Sequence, residues 1–107
     1  MSYKVKTIKV FERQAKRLIK KYASLKSEIF DLIEVLKENP EFGTSIGNEC
    51  FKIRLSIASK NKSKSGGARI ITHFKIDEDS VFLLTIYDKS EKDNITDNEL
   101  KELLKYI

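Results

Sequence analysis

Residues 51–57 read Phe51-Lys52-Ile53-Arg54-Leu55-Ser56-Ile57, the cleanest alternation in the chain. A β-strand sends successive side chains to opposite faces. This pattern therefore predicts a strand with Phe51, Ile53, Leu55 and Ile57 on a greasy side and Lys52, Arg54 and Ser56 on a polar, cationic side. A sheet with one apolar face must bury it against something, and that requirement organises the reading of everything around it.

Downstream, 59–67 contain no apolar residue and end in Gly66-Gly67, which predicts a mobile connection between strands. Alternation resumes from Ala68 to Ile76, with Ile70, Thr72, Phe74 and Ile76 on one side and Arg69, Ile71, His73 and Lys75 on the other. After the turn-like Asp77-Glu78-Asp79-Ser80, the nearly continuous apolar run Val81 to Tyr87 suits a central strand. The chain closes on Ile95-Thr96-Asp97-Asn98-Glu99-Leu100, where Thr96 and Glu99 have capping-box spacing, followed by a short helical face of Leu100, Leu103, Leu104 and Ile107.

Upstream, Glu41 to Asn48 reads as a loop. Before it, Phe11, Ala15, Leu18, Ile19 and Tyr22, and then Leu25, Ile29, Leu32, Ile33 and Leu36, fall at helical spacing on either side of Ala23-Ser24. Asn39-Pro40 stops the second helix. Two amphipathic helices joined by so short a turn predict an antiparallel hairpin, and Tyr3 to Lys9 predicts a short peripheral strand. The expected architecture is α+β: a small antiparallel sheet with an N-terminal helical hairpin on one face and a short C-terminal helix. Its other face is left to carry Lys52, Arg54 and Arg69. At 107 residues without an evident linker or repeat, residues 1–107 read as one domain.

The net charge of +5 is unevenly placed. Between Cys50 and Ile76 stand Lys52, Arg54, Lys60, Lys62, Lys64, Arg69 and Lys75 with no acidic residue, while the tail from Asp88 is slightly acidic. Such a block repels itself unless an anion neutralises it, which points to RNA. Cys50 stands alone, which excludes a disulfide framework or a thiolate zinc cluster. No apolar run approaches a membrane span, and Met1-Ser2-Tyr3-Lys4 opens an alternating strand, not a signal peptide, so a cytoplasmic location is expected.

Strand pairing predicts that Lys52, Arg54 and Arg69 converge on one phosphate beside Gly66-Gly67, whose missing side chains allow backbone to come close to RNA. Arginine offers paired donors to phosphate and lysine a compact charge. The basic segment holds no carboxylates, so metal-dependent cleavage is not expected, and no cofactor is called for. The metal-free route is attack by the ribose 2′-hydroxyl on its own phosphodiester, which requires a base, charge stabilisation and an acid. His73 is the only histidine, so a histidine pair is ruled out. A lysine among cations loses proton affinity, which makes Lys52 a candidate base, with Arg54 and Arg69 stabilising charge. Tyr87 and Lys89, ending the last strand, are candidates for the acid, a stacking ring or a further phosphate contact. Tyr87 also reads as a core aromatic with its hydroxyl at the rim, and His73 as a groove-facing strand residue. Lys60, Lys62, Lys64, Gly66, Gly67, His73 and Lys75 complete the expected RNA-binding set.

Together, Lys16-Arg17-Leu18, Lys20-Lys21-Tyr22, Asn39-Pro40, Phe51 to Leu55, Lys64 to Ile71 and Leu83 to Ser90 resemble the RelE/ParE superfamily of type II toxins, nearest to HigB-like members. The glycine-glycine-X-arginine element of Gly66, Gly67 and Arg69 is its most specific part. The resemblance implies a microbial RNase-like fold that enters the ribosomal A site and cuts mRNA without metal. It also implies a cognate antitoxin, often a HigA-like helix-turn-helix protein, through which operator DNA is reached. Lys52 and Arg54 match the family's basic pair, Arg69 its following arginine, and Lys89 a basic residue after the last strand. The stacking tyrosine that some members carry near the C-terminus is replaced here by the helix that starts at Thr96. Two other readings remain open at this point. A gyrase inhibitor like the ParE branch has no need of a phosphate-cleaving set, and a plain RNA-binding module would leave its RNA intact.

Overall fold

The computed structural model describes residues 2–60 and 66–107. Among them run β1 (Lys4–Thr7), α1 (Lys9–Lys21), α2 (Leu25–Glu38), β2 (Thr44–Gly47), β3 (Cys50–Leu55), β4 (Ala68–Lys75), β5 (Ser80–Asp88) and α3 (Asp97–Leu104). Of the predicted 59–67 connection, residues 61–65, with Lys62 and Lys64, lie outside the described residues.

The strands form one sheet in the order β1-β5-β4-β3-β2. The α+β class is as expected, and two details differ. β1 runs parallel to β5, pairing Lys4 with Ser80 through Thr7 with Leu83, while the other pairings are antiparallel. The expected loop over 41–48 contains β2, which forms a hairpin with β3. That hairpin turns through Asn48 (φ 56°) and Glu49 (φ 57°), both left-handed, a conformation two-residue hairpin turns require and one that glutamate seldom signals.

The helical hairpin packs on the sheet face formed by Phe51 and Ile53 of β3, Ile70 and Phe74 of β4, and their partners on β5, all buried. A register shift on β5 explains its unbroken apolar run. Ile70 pairs with Ile86 and Thr72 with Leu83, so both Ile86 and Leu83 face the core although three positions apart. β1 stops pairing at Leu83, which leaves the upper edge of β5 open. Gln14 of α1 fills that gap: its Oε1 accepts from Ile86 N at 3.1 Å and from the Thr85 hydroxyl at 2.7 Å.

The capping box predicted at the last helix is present in both directions, Glu99 N donating to Thr96 Oγ1 at 3.1 Å and Thr96 N to the Glu99 carboxylate at 2.9 Å. α3 packs beside β5, with Leu100 buried. No helix among the described residues is long and apolar enough to cross a membrane.

Candidate RNA-processing site

Three adjacent strands each contribute one residue to a single row. Arg54 of β3 pairs with Arg69 of β4, and Arg69 pairs with Tyr87 of β5. The neighbouring row, two residues along, is Lys52, Ile71 and Thr85. Directly paired residues share a sheet face with Cβ atoms about 5 Å apart, so Lys52, Arg54, Arg69 and Tyr87 are brought together on the face turned away from the hairpin core. Arg54 is exposed and Lys52 half-buried, but Arg69 retains only 4% of its surface and Tyr87 5%. The Arg69 guanidinium donates to the Ala68 carbonyl at 3.1 Å, which holds it along the sheet.

The Tyr87 hydroxyl is buried and has no hydrogen-bond partner among the described residues. Burial pushes its pKa up, the nearby Arg69 opposes this, and Glu99 and Asp93 reinforce it. The phenol is therefore protonated at neutral pH and can serve as a donor. A cleft of about 370 Å³ opens beside it, lined by Gln14 and Thr85 on one side and Glu99, Leu103 and Tyr106 on the other. The C-terminal helix thus walls the Tyr87 end of the row.

Lys89 lies one step beyond the row. Its ammonium is held by Asp93, at 2.5 Å from the carboxylate and 2.6 Å from the carbonyl. This contact, with smaller contributions from Arg69 and Lys52, lowers the Asp93 pKa, so a carboxylate stands near the basic row. Sequence reading missed Asp93, because its approach depends on how 89–96 fold back. It also missed Thr85, which the alternation with Tyr87 would have disclosed.

Other expected RNA contacts sit elsewhere. The sequence places Lys60 in a mobile basic loop, but its side chain is only 10% exposed and forms an ion pair with the fully buried Asp88. It also donates to the Gly66 carbonyl at 3.4 Å and Ser90 Oγ at 3.1 Å, and it lies over the Tyr22 ring. Tyr22 donates its hydroxyl to Asp88 at 2.6 Å. Burial alone would raise the Asp88 pKa, but the hydrogen bonds from Lys60, Tyr22 and Ser90 outweigh it and hold the carboxyl well below the usual range.

Gly67 also has a different reason for being glycine. A Cβ there would lie 2.2 Å from the Leu55 carbonyl oxygen, so the residue permits β3 and β4 to close on each other and is itself buried. His73 and Lys75 share the sheet face of Arg69 but lie four and six residues along β4, roughly 13 and 20 Å away at strand rise. The His73 Nδ1 is 3.0 Å from the Asn48 carbonyl and 3.6 Å from Cys50 Sγ. Lys75 faces Asp77 at 3.5 Å and Glu78 at 3.8 Å. Burial, with Glu49 adding to it, pushes the Cys50 thiol up to about 11, consistent with a small strand residue and not a nucleophile.

The fold is a small α+β domain with a helical hairpin behind one sheet face and a row of Arg54, Arg69 and Tyr87, the last two buried, across the other. The family model for the RelE toxin of the RelE/RelB toxin-antitoxin system matches residues 3–107, and the chain belongs to that family. Its fold is similar to that of an arginine-to-alanine double mutant of E. coli toxin RelE in the free state, with a TM-score of 0.63 at 18% identity, covering 100% of this chain and 99% of that one. The isolated E. coli RelE toxin gives 0.58 at 15% identity over 99% and 100% of the two chains. The same RelE double mutant bound to a peptide of the antitoxin RelB gives 0.55 at 21% identity over 100% and 99%.

Proposed function

We propose that this RelE-family toxin is a ribosome-dependent, metal-independent endoribonuclease that cleaves mRNA in the ribosomal A site through 2′-hydroxyl attack and so halts translation. The observation that carries the reading is the cross-strand row of Arg54, Arg69 and Tyr87 with Lys52 beside it.

In this reading Lys52 takes the 2′-hydroxyl proton, and the freed oxygen attacks the adjacent phosphorus to form a 2′,3′-cyclic phosphate. Arg54 and Arg69 hold the equatorial oxygens as negative charge grows there, the kind of preorganised electrostatics that dominates such steps. Tyr87, protonated and unpartnered, gives its proton to the departing 5′-oxygen. Lys89 and Asp93 border the row and adjust its charge. Lys62 and Lys64 stay candidates for contacts with ribosomal or messenger RNA.

Membership in a toxin-antitoxin family supports a cognate antitoxin as the partner, a HigA-like helix-turn-helix protein in our reading, through which operator DNA would be reached. Primer extension on mRNA translated in vitro tests the proposal. Cuts inside A-site codons, lost with Arg69→Ala, are expected. Intact mRNA with wild-type protein overturns it, and gyrase inhibition without cuts would indicate the ParE-like alternative.

A further inference from the structure

Residues 89–96 lead from the end of β5 to the cap of α3 and are fastened along the way. Ser90 donates its amide at 2.9 Å and its hydroxyl at 2.7 Å to the buried Asp88 carboxylate, and Lys92 pairs with Glu99. The segment holds two acids. Glu91 is matched by α1, with Arg17 at 2.8 Å and Lys21 at 3.3 Å. Asp93 instead takes Lys89, a cation of the expected phosphate set.

The sheet places Lys89. Its amide donates to the Gly67 carbonyl at 3.0 Å, which carries the β4–β5 ladder one residue past the Ala68–Asp88 pair. Strand alternation then puts its side chain on the face of Tyr87 and Arg69. The Lys89 side chain is 29% exposed and that of Asp93 95%. A pair so open to water is weakly held and readily exchanged for another. The Asp93 carboxylate is also within electrostatic reach of Arg69 and Lys52, on two other strands, and it disfavours ionisation of Tyr87. A single anion that bears on Lys89, Arg69, Lys52 and Tyr87 together does by charge what a bound phosphodiester would do.

We propose that Asp93 is a built-in competitor of the substrate: in the free toxin its carboxylate neutralises Lys89 and the edge of the Arg69–Lys52 set, and an entering RNA phosphodiester displaces it. The inference rests on the row being an RNA site, as proposed above, and adds the step that opens it. Two anions beside the same cations repel each other, so Asp93 swings further into solvent and Lys89 passes to the phosphate. Asp93 touches no reacting atom. It sets how tightly the site takes RNA and leaves the rate of the chemical step alone.

The test uses the whole protein and a labelled single-stranded RNA of about ten nucleotides, with 2′-O-methyl groups that block the attacking hydroxyl. Asp93→Asn should bind it about three- to fivefold tighter at low salt, the scale of one surface ion pair. Its log affinity should also fall more steeply with log salt, by up to about 0.7, because in the parent Asp93 takes up a counterion as the RNA arrives. Asp93→Glu should stay near the parent. Glu34→Gln, the same change of charge on α2 behind the sheet, should alter neither quantity. These side chains are exposed, so each variant should melt like the parent. On translating ribosomes Asp93→Asn should lower KM with kcat unchanged. Binding by Asp93→Asn no tighter than the parent's, an equal gain in Glu34→Gln, or a fall in kcat overturns the proposal while the RNA reading of the row stands. Tighter binding by Asp93→Asn when the parent cuts nothing upholds the competitor and overturns the nuclease reading. No RNA binding by any of these proteins overturns both.

Discussion

Arg54 and Arg69 stand opposite each other on adjacent antiparallel strands, a pairing of like charges that ordinarily costs a fraction of a kcal/mol. Arg54→Ala should therefore leave thermal stability unchanged or raise it by up to about 1 kcal/mol, while lowering ribosome-dependent cleavage by about a hundredfold or more. A melt and a cleavage time course on one preparation check both, and a loss of stability comparable to a core mutation would show that Arg54 is structural. This pair was legible in the sequence because alternation fixes faces, whereas Tyr87 was a candidate only because it ends the last strand, whose unbroken apolar run hides which face it takes. Lys60 and Gly67 were not legible as what they are. Lys60 follows the last alternating residue, and its destination is set by Asp88, 28 positions away. Gly67 is required by the Leu55 carbonyl, which no local pattern announces.

At the scale of elements, β5 depends on α1 where β1 ends. Gln14→Leu would strip the Ile86 amide and the Thr85 hydroxyl of their acceptor, at a cost of about 1–3 kcal/mol in denaturant unfolding. An effect below about 0.5 kcal/mol would mean that water replaces the side chain. Thr96→Ala removes one half of the capping box and should cost about 1 kcal/mol, read by faster amide exchange across 97–104. The helices, β3 and β4 were legible because their periods are regular, and β5 because its apolar run is long and bounded by a turn. β2 was not, since four residues that follow Gly43 and end on Gly47, with a left-handed Asn48-Glu49 turn after them, carry little periodic signal.

Across the whole molecule, Asp88 ties Tyr22 just after α1 and Lys60 after β3 to the end of β5. Its folded pKa lies below the 3.8 of the free group, so its contribution to stability is fully present above about pH 4 and is lost as pH falls through the folded value. Stability should accordingly drop on acidification below pH 4. Asp88→Asn should cost about 3–5 kcal/mol at neutral pH and flatten that acid limb; an unaltered limb would mean that other carboxylates set it. This network holds Ala68 and Asp88 in register one step from the Arg69–Tyr87 pair, so the scaffold and the proposed chemistry meet there. The most direct test of that chemistry is the end group left on mRNA cut by the toxin on translating ribosomes. A 2′,3′-cyclic phosphate on the upstream fragment, with yield collapsing in Arg54→Ala and Arg69→Ala, is the predicted result. A free 3′-hydroxyl, or cleavage that persists in both variants, would contradict it.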